Sequence, residues 1–426
     1  VGGTRELSAS AETADSIPIP EARFHWEMAD TGIIAYDPAK RLLTAKGPGT
    51  TTLTARLKGF EPAVWTIQVI QGLIGLERPR VGLVVGERVN LSAVMLDDSG
   101  RAVGPAPDLQ WSTDRAEIAT VAAGGAVAGV SPGRAVVTAK APWGKSATGE
   151  VFVVGDLLIS SNRGGGFGVY QIRLGVPDGF LPVLLESGAA IQAVRSPDRT
   201  RIAFSTNRHG SYDLYVMDAD GRNPRRLTTD PGNEGEPAWT PDGARILYVA
   251  TPRTGPAQIY SIRADGGDGR ALTTSTGGNS SPTVSPDGRN VAFVSARDGN
   301  QEIYLMAPDG SGQRRLTRNS VRESNPRFLP GGDIVYVAER GRSKGSWVLR
   351  LAPGAAQGTQ ILETNQAIAS MDVSRDGERV AYVIGRLTDA SKRKTEFRLI
   401  VQKLSPGSTP GSVPLRPNEQ VVSPSF

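Results

Sequence analysis

The chain has 426 residues, 51 of them glycine and 30 proline, with 6% aromatic and 21% charged residues; this is a turn-rich composition that leans to β-structure and is too long for one simple core. Cysteine is absent and histidine occurs only as His25 and His209, which excludes disulfides, thiolate nucleophiles and cysteine-ligated metals and removes most zinc sites and most acid–base designs at neutral pH. The formal charge of +5 comes from arginines interleaved with Asp and Glu, the pattern of a solvated surface without a nucleic-acid-reading motif, and no run of 18 apolar residues is present to span a bilayer.

Residues 1–154 repeat themselves with a step of about 85 residues. Phe24-His-Trp26 is answered by Leu109-Gln-Trp111, and Gly47-Pro-Gly-Thr by Ser131-Pro-Gly-Arg134. Alternating stretches such as Ala135-Val-Val-Thr-Ala139 are broken by Pro-Gly and Gly-Gly pairs, which predicts short strands and tight turns. Two β-sandwiches follow, over residues 1–72 and 73–154. Trp26 and Trp111 are their expected core anchors, and His25, on the opposite strand face from Trp26, is expected at the surface. The second copy runs Trp111-Ser-Thr-Asp-Arg-Ala-Glu-Ile118-Ala-Thr-Val121 and then Val130-Ser-Pro-Gly133-Arg-Ala135-Val-Val-Thr-Ala139. On these residues the region resembles bacterial immunoglobulin-like domains of the intimin/invasin type. The first copy departs from the pattern, with Tyr36-Asp37 for Thr120-Val121 and Lys40-Arg41 for Gly124-Gly125. Val1 aligns near Val85, so residues upstream are expected to complete its leading strand. The resemblance implies a spacer, stalk or docking module with no chemistry of its own.

A second repeat begins at about residue 155, with a step of 44 or 45 residues. Its marker reads Arg195-Ser-Pro-Asp198, Trp239-Thr-Pro-Asp-Gly243, Val284-Ser-Pro-Asp-Gly288, Leu329-Pro-Gly-Gly-Asp333 and Val373-Ser-Arg-Asp-Gly377. That length fits four short strands and their turns, the size of one propeller blade. In the copy around Ser281, strands are predicted at residues 281–285, 290–294, 302–306 and 313–317, with Asp-Gly pairs closing the hairpins. Full copies start near residues 191, 235, 280, 325 and 368. Residues 155–190 lack an inner strand, and Val421-Val-Ser-Pro-Ser-Phe426 matches one. The last six residues are therefore expected to complete the first of six blades and close the ring, removing exposed sheet edges. The stretches Val194–Thr228 and Thr283–Thr317 resemble the TolB-type propeller repeat, shared with the propellers of prolyl-oligopeptidase relatives. The resemblance covers residues 155–426 and implies the fold. It does not carry over a role, because TolB proper has an α/β domain where this chain has residues 1–154, and the oligopeptidases need an α/β-hydrolase domain.

Each copy carries a loop arginine after its second strand: Arg163, Arg208, Arg253, Arg297, Arg340 and Arg386. One reading makes them framework, paired with carboxylates such as Glu236, Glu323 or Asp298. The other makes them a basic ring that receives an acidic partner. His209, Tyr212, Glu234, Glu236, Asn279, Arg322, Glu323 and Asn325 do not repeat and are the further candidates for partner binding. The basic insertions Arg342 with Lys344, and Lys392-Arg393-Lys394, could meet anionic lipid headgroups or an acidic protein surface, or remain solvated loops. No His-Glu-x-x-His motif is present. Asp218-Ala-Asp220-Gly221 lacks the twelfth-position Glu of a calcium loop and reads as a turn, and Gly164–Gly168 precedes a strand, a poor phosphate cradle. No metal site, cofactor or catalytic residue is expected.

The expectation is an all-β, extracytoplasmic, non-enzymatic chain of two immunoglobulin-like sandwiches and a six-bladed propeller. Its work would be protein binding, as a scaffold or accessory subunit on the outer face of a membrane-bound assembly of the envelope, respiratory or photosynthetic kind. The alternatives are an adhesin-like carbohydrate or cell-wall binder, and a propeller hydrolase or lyase.

Overall fold

The computed structural model of the chain describes residues 4–7, 23–46, 49–69, 72–97, 99–106, 108–176, 178–341, 345–389, 394–405 and 407–426, without the side chains of residue 68, 386–389 and 394–395. Every regular element in them is a β-strand. Two compact units emerge, one of Val1–Arg80, Gly86–Val130 and Ala135–Val151, the other of Val81–Val85, Ser131–Arg134 and Phe152–Phe426.

In the first repeat copy of the N-terminal region, Thr4–Glu6, Leu42–Ala45 and Ile34–Asp37 form one sheet, and His25–Met28, Gly49–Arg56 and Ala63–Val69 another. Ile34 and Leu43 of the first and Leu53 and Val69 of the second share one apolar cluster, against which Trp26 packs half-buried. His25 is exposed on the other face, as strand alternation requires. In the second copy Trp111 is likewise half-buried, and Gln110–Thr113 pairs with Gly133–Lys140.

The remaining strands form six four-stranded antiparallel sheets. The first joins Leu157–Ser161, Gly168–Ile172 and Phe180–Leu184 to Val421–Ser425, with Ser160 opposite Val422. The next five each use four consecutive strands, with inner strands Ala190–Arg195, Asn233–Trp239, Asn279–Val284, Glu323–Phe328 and Ile368–Val373. Neighbouring inner strands touch in chain order, and Val421–Ser425 touches both the second and the sixth. The second strands are apolar on both faces, as in Val291–Ser295, where every residue is buried. Such a strand needs cover on both sides, and six apolar clusters supply it. Five lie between consecutive sheets, and the sixth joins Leu157, Ile159 and Tyr170 of the first sheet to Ala381, Val383 and Leu399 of the last. Phe204 and Phe293 are fully buried there, each stabilising the fold by about 2–3 kcal/mol.

The repeated Pro-Asp turn has a simple chemistry. The Thr240 and Ser285 hydroxyls donate to Asp242 and Asp287 at 2.6 Å, and the carboxylates accept the N–H of Ala244 and Arg289 at 3.0 and 3.1 Å. These bonds hold both carboxyls below the ordinary range. The next residue turns left-handed, Gly243 at φ 65° and Gly288 at φ 73°, which is why glycine follows the Asp. In the second sheet Arg199 takes that place at φ 58°.

Candidate partner-binding site

Each inner strand slips register once. In the second to fifth sheets the slips fall between Ile191 and Val194, Gly235 and Ala238, Ser280 and Thr283, and Ser324 and Arg327. The bulge residues Gln192, Glu236, Ser281 and Asn325 have φ of 55°, 51°, 51° and 51°, and Ser423 of the C-terminal strand has 53°. None is glycine, so each left-handed backbone costs about 1 kcal/mol or more. Four of the five precede a proline: Pro237, Pro282, Pro326 and Pro424. All five side chains are polar and half-buried, as is Ser370 in the sixth sheet.

The bulges are tied to one another. Gln192 Oε1 accepts the N–H of Glu236 at 2.8 Å, Glu236 Oε2 accepts the N–H of Ser281, and Ser370 Oγ accepts the N–H of Ser423 at 3.2 Å. Gly235 lets Gln192 approach closely: a Cβ there would stand 2.5 Å from Gln192 Oε1, and the amide would have to shift. Asp372 accepts from Arg327 Nε at 2.8 Å and from the N–H of Phe426 at 3.0 Å. Neighbouring inner strands thus present a rigid set of amide, hydroxyl and carboxylate groups. These can hydrogen-bond a partner; among the described residues no cluster of three metal-ligating side chains accompanies them.

Five of the six repeated arginines are engaged within the fold. Arg163, 7% exposed, lies 3.2 Å from Glu419 and 2.9 Å from Asp178, with its guanidinium 3.5 Å from the Phe180 ring centre. Arg208 pairs with Glu186 over the Tyr215 ring, and Arg340 with Glu363 over Trp347. Arg297 donates to Ser295 Oγ, Gln313 Oε1 and Asn279 Oδ1 and lies over Tyr304. Arg253 Nε donates to the carbonyl of Pro231 at 3.2 Å. Arg386 sits in the strand Arg379–Asp389 opposite Glu396. The carboxylates expected to pair these arginines are employed elsewhere: Glu236 on Ser281, Asp298 on Arg315 and Tyr304, and Glu323 in the interior.

Glu323 corrects the sequence reading more sharply. It is fully buried and its carboxylate accepts from Thr317 Oγ1 and from Asn319 Nδ2 at 2.6 Å, so it offers nothing to a partner. Glu234 and Asn279 occupy the same place two residues before the bulge and are each 1% exposed. Burial, aided by Asp213 and Asp230, pushes the Glu234 carboxyl up to about 7, and burial raises Glu323 as well. Of the other candidates, His209 is exposed and its ring stacks 6.5 Å from Tyr215, Tyr212 N–H donates to Asn233 Oδ1, Arg322 is exposed and donates to Gln301 Oε1, and Asn325 is a bulge residue. Arg342, Lys344, Lys392 and Arg393 lie outside the described residues, and of Lys394 only the backbone is described.

Gln192, Ser281, Ser370 and Ser423 were not anticipated from sequence. For Ser281 and Ser423 a signal was present, a polar residue before proline as in Glu236-Pro237 and Asn325-Pro326; Gln192 and Ser370 have no such mark.

Comparison with known proteins agrees with this architecture. The Tol-Pal system protein TolB of a Polaromonas species is 28% identical over 210 residues, 48% of this chain and 42% of that protein. The protein of the same name from Anaeromyxobacter dehalogenans is 36% identical over 84 residues, 20% of this chain and 19% of its own. The chain thus spans less than half the length of these curated relatives. Among solved structures, TolB from Acinetobacter baumannii superposes with a TM-score of 0.52 at 14% identity, covering 83% of this chain and 99% of that one, a likeness of fold. The TolB beta propeller domain model matches residues 186–284 and 270–422, more than half of the sequence. On that match, with the four-stranded sheets it spans, the chain belongs to the TolB beta propeller domain family.

Proposed function

We propose that this chain is a non-enzymatic, extracytoplasmic protein-binding scaffold, docked as an accessory subunit on the outer face of a membrane-bound assembly. The observation that carries the reading is the set of strained polar bulges on the inner strands. Five non-glycine residues hold left-handed backbones at one repeated position. Such strain is retained where a surface must be presented in one conformation. The groups there are hydrogen-bonding and preformed, suited to a partner's polar groups. The names of the relatives, Tol-Pal system proteins, are in keeping with work in a protein assembly.

In this reading the six sheets are the blades of a closed propeller, supported by the pairing of Val421–Ser425 with Leu157–Ser161 and by the apolar cluster joining the first and last sheets. Residues 1–72 and 73–154 serve as immunoglobulin-like spacers, supported in the first copy by two sheets that share one core. The exposed His209 and Arg322 would add to the contact, and the basic sequence of Arg342, Lys344 and Lys392–Lys394 suits an acidic protein or anionic headgroups.

Cross-linking mass spectrometry in gently solubilised membranes tests the proposal. The expected result is reproducible links from the propeller to one defined protein, reduced at least tenfold by replacing Glu236 and Asn325 with alanine. A chain that migrates as a free monomer, with links scattered over unrelated proteins, would refute it.

A further inference from the structure

The inner strands end at one equivalent register position, opposite the start of the second strand. There Trp239 faces Ile246, Val284 faces Val291, Phe328 faces Ile334 and Val373 faces Val380. All four are apolar and pack into the clusters between sheets, and Phe426, at the end of the C-terminal strand, does the same. In the second sheet the residue is Arg195, opposite Ile202. A guanidinium therefore stands at the one place of six where a hydrocarbon side chain is the rule.

Arg195 is 9% exposed, and neither its Nε nor its Nη2 has a hydrogen-bond partner. Arg163 shows what a buried arginine of this fold otherwise has: two carboxylates and an aromatic face. Around Arg195 the nearest influences are Arg199, which adds positive charge, and Asp156, whose Oδ2 is taken up by the N–H of Leu174 at 2.9 Å. Burial and the Arg199 charge push the Arg195 guanidinium down to about 9, the mark of a buried cation lacking compensation. A buried charge without a counter-charge is strongly unfavourable, and native proteins complete it with an ion pair or a bound ion. The two bare nitrogens also belong together. Nε–H and Nη2–H point in parallel from the same edge of the guanidinium, the spacing that receives two oxygens of one planar or tetrahedral oxyanion.

We infer that the Nε–Nη2 edge of Arg195 is an anion site, taking a single carboxylate or phosphate group held by two parallel hydrogen bonds beside the first sheet. The small residual exposure of the side chain limits the ligand to the group itself or to the tip of a slender molecule. Its polar surroundings are the hydroxyl-rich Ser196–Thr200 turn and Asp156, and Asp156 disfavours a highly charged ligand.

The test is thermal denaturation of the full chain in sodium phosphate, sodium acetate and sodium chloride at matched ionic strength. The expected result is a saturable rise in Tm over chloride, about 5 °C at a hundredfold excess over Kd, in phosphate, acetate or both. Response to acetate alone identifies a carboxylate ligand, and response to phosphate alone a phosphate group. Arg195→Met, which restores the apolar side chain of the other five sheets, should fold and lose the response. Arg195→Lys keeps the charge without the two-pronged edge and should raise Kd at least tenfold; it serves as well if the methionine variant does not fold. A wild-type Tm indifferent to both anions, or a response that survives in both variants, would overturn the inference.

Discussion

Replacing Glu234 with glutamine should change stability with a sign that depends on pH. Glu234 is 1% exposed, accepts from Thr228 Oγ1 at 3.3 Å, and lies near the fully buried Asp213, which is itself paired with Arg226 at 2.8 Å. Burial first, then the charges of Asp213 and Asp230, raise its carboxyl from an ordinary value of 4.5 to about 7. Between those two values the folded chain holds a proton that the unfolded chain has released. Stability from this group is therefore fully present below about pH 4.5 and is lost as pH rises through 7. The slope is about 1.4 kcal/mol per pH unit across the window, and the whole effect approaches about 3 kcal/mol, of which coupling to Asp213 takes part. Glutamine carries no such penalty. The fourth sheet already shows a neutral side chain at this place, where Asn279 Nδ2 donates to Gln258 Oε1 and Ser275 Oγ at 2.9 Å. Glu234→Gln should thus be nearly neutral at pH 5 and stabilising by about 1–3 kcal/mol at pH 8.5, read from denaturant unfolding at a series of pH values. A difference that stays flat with pH, or a glutamine variant that is less stable at pH 8.5, would refute the reasoning.

Glu419→Ala should cost about 2–4 kcal/mol in chemical denaturation, because it takes the buried one of two carboxylates from Arg163, leaving only the exposed Asp178, and removes the acceptor of Ser161 Oγ. Gly221→Ala should cost about 2–4 kcal/mol: the residue has φ of 86°, and a Cβ would fall 1.9 Å from the carbonyl oxygen of Val183 in the first sheet. Deleting Val421–Phe426 takes the inner strand from the first sheet and uncovers Leu157 and Ile159, and the Tm should drop by more than about 10 °C in calorimetry.

Much of the propeller was readable because a period of 44 or 45 residues multiplies each weak signal. A single Ser-Pro-Asp-Gly says turn; that one and four variants of it at near-regular spacing say blade, and the unmatched hexapeptide at the C-terminus says where the first sheet finds its inner strand. The candidate site was harder to read. Periodicity placed the arginines near the ends of the second strands, with Arg208 and Arg386 inside them, yet it did not name their partners Glu186, Glu363 and Glu419. Glu323 and Glu234 look like surface residues in a polar stretch, and only tertiary packing buries them. The left-handed bulges contradict local preference at Gln192, Glu236 and Ser281, so propensity pointed away from them. Arg195 sits in the first clear copy of the marker, but its oddity appears only when the register of the sheets is set side by side.

Leu157–Ser161 and Val421–Ser425 form the seam between the two ends of the propeller region. Hydrogen exchange of the intact chain measures it directly. The amides of Val421–Ser425 should be protected as long as those of Leu157–Ser161, their antiparallel neighbours, and both should open together. Exchange of the C-terminal strand within seconds, while the second to fifth sheets remain protected, would contradict it.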